Sequence, residues 1–220
     1  TIGFKNGNKR GEAYSVYVVD KLKQLGYDVK GKIVDFSEYG IPQKRQRYIL
    51  VGTKKDNAEN FFDLLVQNKV TFFKSKNFEK DTVSLSDAIS DLLQSHGTKE
   101  SPDTKNFRAG IYAKATTSYQ KLMRKDKNLT KKIASSHRFA NHKKETIEKF
   151  QYILEFGRAN KNISDEIKAK YNIKKRTVVP LCSNSPTPTL TTLPDDYIHY
   201  CEPRILTVRE YARIQSFPDS

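Results

Sequence analysis

Tyr14, Val18, Leu22 and Leu25 recur three or four residues apart, and Gly26 follows where a helix would stop. Residues 27–36 then read as a strand, with Val29, Ile33, Val34 and Phe36 set among lysines and glycine. A turn at 38–42, built on Gly40 and Pro42, leads into a second strand at 47–53 whose apolar residues 48–51 are expected to be buried. Together these predict a helix followed by an antiparallel strand pair, as at the end of a larger α/β sheet. Further helices are predicted at 57–66, at 82–93 with Ser84 or Ser86 as N-cap, and at 146–156 closing at Gly157. Residues 95–106 are polar and loop-like, 108–144 show only weak periodicity, and 160–176 are lysine-rich with partial helical character. Two prolines among β-branched residues make 186–192 stiff and extended. Thr207 and Glu210 are spaced as a capping box, opening a helix from Val208 to about Gln215 that stops before Pro218.

Charge narrows the class. The 220 residues carry 40 Lys and Arg against 25 Asp and Glu, a formal charge of +15, which predicts a polyanionic partner, with nucleic acid first. No stretch approaches the roughly 20 apolar residues of a membrane span, so no membrane association is expected. Cys182 and Cys201 lack disulfide-framework or zinc spacing, and no ligand set completes His137 and His142, so no metal is expected. These features fit an intracellular, cytoplasmic protein. The chain starts at Thr1 and its first eleven residues are polar, so it reads as a piece of something longer.

The densest chemistry lies at 39–52, Tyr-Gly-Ile-Pro-Gln-Lys-Arg-Gln-Arg-Tyr-Ile-Leu-Val-Gly. Gln43, Arg45 and Arg47 alternate, so in a strand they would project to one face. By pattern alone a solvated face is the plainer reading; the other is an anion or base-edge site, since guanidinium forks donate several hydrogen bonds at once.

This stretch resembles motif VIII of the DNA cytosine-5 methyltransferases. The segment 204–219, Arg-Ile-Leu-Thr-Val-Arg-Glu-Tyr-Ala-Arg-Ile-Gln-Ser-Phe-Pro-Asp, resembles motif IX of the same family. Between them, 82–93 resembles the segment after motif VIII. Asn141-His142 fits a common pattern there, and 186–192 followed by Ile198-His199 resembles the Thr-Leu segment that closes the target recognition domain. All these pieces occur in the family's order. The resemblance implies methyl transfer from S-adenosylmethionine to carbon 5 of a cytosine flipped out of duplex DNA, with a cysteine thiolate adding at carbon 6. Arg47 matches the arginine that hydrogen-bonds the 2-keto oxygen of the flipped base. Arg45 matches the one bracing the pocket and a nearby phosphate, and Gln43 the glutamine shaping the start of this strand and touching DNA. Thr189 and Leu190 match the Thr-Leu pair beside the extruded nucleotide. Arg204 and Arg209 match motif IX positions that organise the recognition domain and contact DNA. Arg209 reads equally well as a helix N-terminal arginine paired with a carboxylate, and Tyr211 and Ile214 as core.

The departures are as informative. There is no Phe-x-Gly-x-Gly cofactor loop, no Pro-Cys-Gln nucleophile loop and no Glu-Asn-Val segment; Cys182 lies in Leu-Cys-Ser-Asn and reads as a buried or incidental thiol. The resemblance therefore implies the C-terminal part of such an enzyme. The expected fold class is α/β: residues 1–55 are the trailing helix and strand pair of a Rossmann-like methyltransferase sheet. Residues 56–203 are a mixed, loop-rich α+β target recognition domain, and 204–220 a motif IX helix bracing the two. The stretch 108–144 is the expected region of DNA contact. The expected function is the target-recognition half of an enzyme of a restriction-modification system, inactive alone. Its S-adenosylmethionine site lies mostly outside the chain, with no cofactor-binding residue assigned within it. Its expected partners are double-stranded DNA and the missing N-terminal catalytic half, on the same polypeptide or a separate subunit. The alternatives are a non-catalytic DNA-binding module derived from such an enzyme, and an RNA cytosine-5 methyltransferase relative.

Overall fold

The computed structural model describes residues 14–78, 80–124 and 128–219, so the polar stretch 1–11 lies outside the described residues. The described residues pack as two units, one within 14–35 and 46–72, the other within 36–45 and 73–219.

In the first unit, α1 (Tyr14–Gln24) ends where Gly26 takes φ +81° and Tyr27 N reaches back to Leu22 O at 3.1 Å. That is a Schellman stop, which a residue with a Cβ adopts only at a cost. The strands β1 (Asp28–Asp35) and β2 (Gln46–Thr53) pair antiparallel in unbroken register from Asp28 opposite Thr53 to Asp35 opposite Gln46. Gly31 admits this packing, because a Cβ there would lie 2.0 Å from the Tyr48 hydroxyl. The longer helix α2 (Glu59–Ser75) begins where Asp28 accepts from Ala58 N at 2.7 Å, and Glu59 pairs with Lys30 at 2.7 Å and with Lys32.

One expectation fails here. Residues 48–51 are not buried: β2 is at best half-buried along its length, and Ile33 on β1 is 70% exposed. Among the described residues of this unit, two strands with two helices hold too little apolar surface to seal both faces of a ladder. The helix at 57–66 also runs on to Ser75, since Phe62 and Phe73 are both buried along one continuous helix.

The second unit is built from short elements around two cores. The larger core gathers Leu85, Ile89 and Leu92 with Tyr112, Tyr119 and Ile214. Helix α3 (Leu85–Ile89) is capped by Ser84 with Asp87 answering, and two 3₁₀ turns follow it, so the expected helix at 82–93 is shorter than its pattern. Strands β3 (Thr98–Glu100), β4 (Arg108–Ile111) and β5 (Ile133–Arg138) form an antiparallel sheet with a bulge between Ala109 and Ile111. Helix α4 (Ser118–Met123) starts at a Thr117–Gln120 capping box. These elements occupy regions read as loop or as weakly periodic, because strands of a few residues carry too little alternation to register. A Cβ on Gly110 would meet the His137 ring at 2.4 Å, so this glycine lets His137 cross the sheet into the core.

The smaller core joins Phe150 and Ile153 of α5 (Lys144–Phe156) to Ile163, Val178, Ile198 and Ile167 of α6 (Asp165–Lys170). Strands β6 (Val179–Pro180) and β7 (Tyr197–Ile198) pair in parallel, and α7 (Val208–Ile214) closes the unit with its Thr207–Glu210 capping box formed as expected.

Candidate functional site

Gly40 turns the chain at φ +82°, and a Cβ there would run 2.8 Å into the Phe78 ring, so the turn is closed by glycine on both steric grounds. Beyond it the extended residues 42–45 pair with 187–189. Thr187 N donates to Pro42 O at 3.0 Å, Lys44 N to Thr187 O at 2.8 Å, and the Thr189 hydroxyl to Lys44 O at 2.7 Å. Residues 145 positions apart in the chain are thus joined by hydrogen bonds around a parallel bridge between Gln43 and Thr187. The stiffness of the Pro-Thr-Pro-Thr run suits it to that pairing.

Gln43 is buried in this arrangement, and its Oε1 accepts from Arg45 Nη1 at 3.3 Å, so the two side chains share one side as alternation predicts. The Gln43 Nε2 is a buried donor without a protein acceptor among the described residues. Arg45 lines a cavity of about 500 Å³ whose other walls include Leu190, Thr191, Thr192, Leu206 and Tyr211; among the described residues Arg45 is its only charged lining residue. Leu190 is 8% exposed and belongs to the larger core, and Tyr197 Oη donates to Thr189 O at 2.9 Å. Arg47 stands on β2 opposite Val34, is exposed, and donates from Nη1 to Gln46 O at 2.7 Å.

Below this cavity the motif IX segment is held by buried charge. Arg204 is 4% exposed and grips Glu210 with two parallel hydrogen bonds of 2.7 and 2.8 Å, while its Nε donates to Glu202 at 2.8 Å. The same Glu210 carboxylate accepts from Thr207 N at 2.7 Å. Burial raises the Glu210 carboxyl, but the charge and hydrogen bonds of Arg204 outweigh it and hold the pKa at about 2. His199 Nδ1 accepts from the backbone N–H groups of Cys201 and Glu202, which places its proton on Nε2, 3.6 Å from Glu210. Burial pushes His199 down to about 4, so this imidazole is neutral. His137 is also buried, between Thr207 Oγ1 at 2.7 Å and Leu92 O at 2.7 Å. Arg209 donates to Ser135 O at 2.9 Å and pairs with Asp219 at 3.2 Å, the carboxylate partner that its plainer reading foresaw. Arg213, fully buried, joins Asp219 to Asp91.

Neither His137 nor His199 could be assigned to this cluster from the sequence. The partners of His137 lie 70 and 45 positions away along the chain, beyond any spacing rule, His199 meets Glu210 only through the fold, and only the Thr207–Glu210 box signalled that Glu210 turns inward. Cys182 is half-buried and Cys201 exposed, both free. Among the described residues no group of three side chains could hold a metal, and no helix is long and apolar enough to cross a membrane.

The family model of C-5 cytosine-specific DNA methylases matches residues 6–220. The chain belongs to this family. Within it, similar proteins include the type II methyltransferase M.DdeI of Desulfomicrobium norvegicum, 28% identical over 217 residues covering 92% of this chain and 47% of that protein. Another is the type II methyltransferase M1.HphI of Haemophilus parahaemolyticus, 26% identical, covering 92% of this chain and 42% of its own length. The chain thus spans about half the length of the curated relatives it matches. Its fold is similar to the crystal structure of a DNA modification methyltransferase encoded within an E. coli prophage, with a TM-score of 0.56 and 22% identity over 95% of this chain and 56% of that one.

Proposed function

We propose that this chain is the C-terminal, target-recognition half of a DNA cytosine-5 methyltransferase of a restriction-modification system. The observation that carries the reading is the pairing of 42–45 with 187–189, which brings the motif VIII arginine Arg45 and the Thr-Leu segment to one cavity. In this reading duplex DNA lies against the second unit and the Arg45 guanidinium braces the backbone at the extruded nucleotide. Arg47 hydrogen-bonds the 2-keto oxygen of the flipped cytosine, where charge develops on attack. Gln43 orients Arg45 through its amide oxygen and has an amide donor to offer. Thr189 positions the loop through Lys44 O, and Leu190 seats that segment in the core. Arg204 and Arg209 act through packing: they hold the recognition part in register for DNA.

The Arg45 cavity does not fit S-adenosylmethionine. The cofactor carries a sulfonium and an ammonium besides its carboxylate, and among the described residues the cavity wall, whose charged member is Arg45, holds no anion to meet those two cations. We therefore assign the cofactor to the half that supplies the nucleophile. The first unit supports the existence of such a partner: Ile33, Leu25, Val66 and Tyr14 are each more than 60% exposed, an unusual apolar surface for so small a unit. Covering that surface with the remaining strands of a Rossmann-like sheet would bury it.

The test is complementation. The chain alone is expected to transfer no methyl group; mixed with the catalytic half of the same enzyme it should methylate duplex DNA, and not tRNA. Duplex binding that persists while the mixture stays inactive would overturn the catalytic reading, and leave a DNA-binding module.

A further inference from the structure

A second cavity, of about 350 Å³, opens between α5, the residues that follow α6, and Ile205. Its floor is apolar, since Phe150, Ile153 and Val178 belong to the smaller core and Ile173 and Ile205 pack against them. Its rim is polar and cationic. Lys149 lies with Nζ 5.6 Å from the centre of the Phe150 ring, Lys174 is exposed, and Thr146 and Asn172 add a hydroxyl and an amide. Among the described residues Asp195 is the only carboxylate lining it, and Lys175 already neutralises it at 2.5 Å while holding Asp196 at 2.8 Å. His142 sits edge-on to Phe150, and its Nε2 accepts from Ile205 N at 3.4 Å, which leaves Nδ1–H as its donor.

An open, aromatic-floored hollow with a lip of lysines has two requirements: a flat apolar body below and an anion above. A purely apolar occupant would leave the ammonium groups unanswered at the rim, and a cationic one would be repelled. A nucleobase with its phosphate meets both, because every base has a π-face that stacks on aromatic side chains and lysines hold phosphate oxygens. We propose that this cavity is a nucleotide site, with a base lying on the Phe150 and Tyr171 floor and its phosphate held by Lys149 and Lys174. The nucleotide is an unstacked one in the bound DNA, separate from the target cytosine; only this source rests on the function proposed above.

The experiment is a nuclear magnetic resonance titration of the whole chain with deoxyadenosine monophosphate and, separately, with inorganic phosphate. The mononucleotide should shift the aromatic resonances of Phe150 and Tyr171 together with the amides of Lys149 and Lys174; phosphate should move only the lysines. Lys149→Ala and Lys174→Ala should each weaken mononucleotide binding roughly fivefold, the equivalent of a modest ion pair. Thr146→Trp, which plugs the mouth, should abolish it, with thermal melts confirming that each variant folds. Mononucleotide shifts limited to the lysines, or binding undiminished by the tryptophan plug, would overturn the site. Duplex binding by the chain should weaken in the same variants. If it does not while mononucleotide binding is lost, the DNA source is overturned and the occupant is a free nucleotide. None of these readouts uses methyl transfer, so the site stands or falls apart from complementation.

Discussion

The Thr189 hydroxyl reaches a backbone carbonyl, Lys44 O, rather than solvent, so its influence on DNA passes through the Arg45 loop. Thr189→Val removes that donor without changing the shape, and leaves the carbonyl to find water. Amide exchange at Lys44 and Thr187, both in the pairing, should quicken roughly fivefold in the valine variant and stay near the original rate in Thr189→Ser. Equal exchange in all three proteins would remove the positioning role. For Arg47, placed exposed on β2, the expectation differs: in the complemented enzyme Arg47→Ala should cut methyl transfer by on the order of a hundredfold or more, with little loss of duplex affinity. Parallel losses in both would make it a phosphate anchor instead. At this scale the sequence was informative where a motif names residue types in order, as with Gln43 and Arg45. It was silent on Thr187, whose partner lies across the fold.

Caps and stops carried most of the legible element structure. Gly26, Ser84, Gly157 and the Thr207–Glu210 box ended or began helices where local chemistry said they would, since each satisfies backbone groups within one turn. The elements between 95 and 144 were not legible. Their burial depends on His137 and Gln120 finding polar partners inside the core, and no period in the chain announces that. Helix α7 shows how much hangs on one such partner. Glu210→Gln would leave Arg204 buried with its main counter-charge gone, an expected destabilisation of about 3–5 kcal/mol by denaturant unfolding. Thr207→Ala loses a cap and a hydroxyl on His137, an expected cost of about 1–2 kcal/mol. A smaller loss for Glu210→Gln than for Thr207→Ala would mean that the ion pair is not what holds the helix.

Across the whole chain, the buried His199–Glu210 pair sets a pH dependence. An unfolded chain protonates this imidazole as pH falls through about 6.5, whereas the folded chain resists until about 4. Stability contributed by the neutral imidazole is therefore complete above pH 6.5 and is lost as pH falls toward 4. Glu210, held at about 2 against 4.5, adds a second loss below pH 4.5. Thermal melts should fall steeply between about pH 6.5 and pH 4, and His199→Gln should flatten that slope. A profile unchanged by the substitution would show that other groups control it. The charge of +15 likewise predicts duplex binding that weakens strongly with salt; weak salt dependence would contradict phosphate contact as its main source.

Composition and the ordered motifs at 39–52 and 204–219 were enough to place the chain in its family, and the cap residues to place helix ends. Each depends on near neighbours or on the identity of residues in order. Burial and partnership were decided by the tertiary fold. β2, apolar in sequence, is only half-covered because the described residues of its unit form two strands, while Gln43, Arg204, Arg209 and Arg213, polar in sequence, are buried. A side chain's polarity sets what its burial costs, but only the distant chain brought against it supplies the hydrogen bonds and counter-charges that offset that cost.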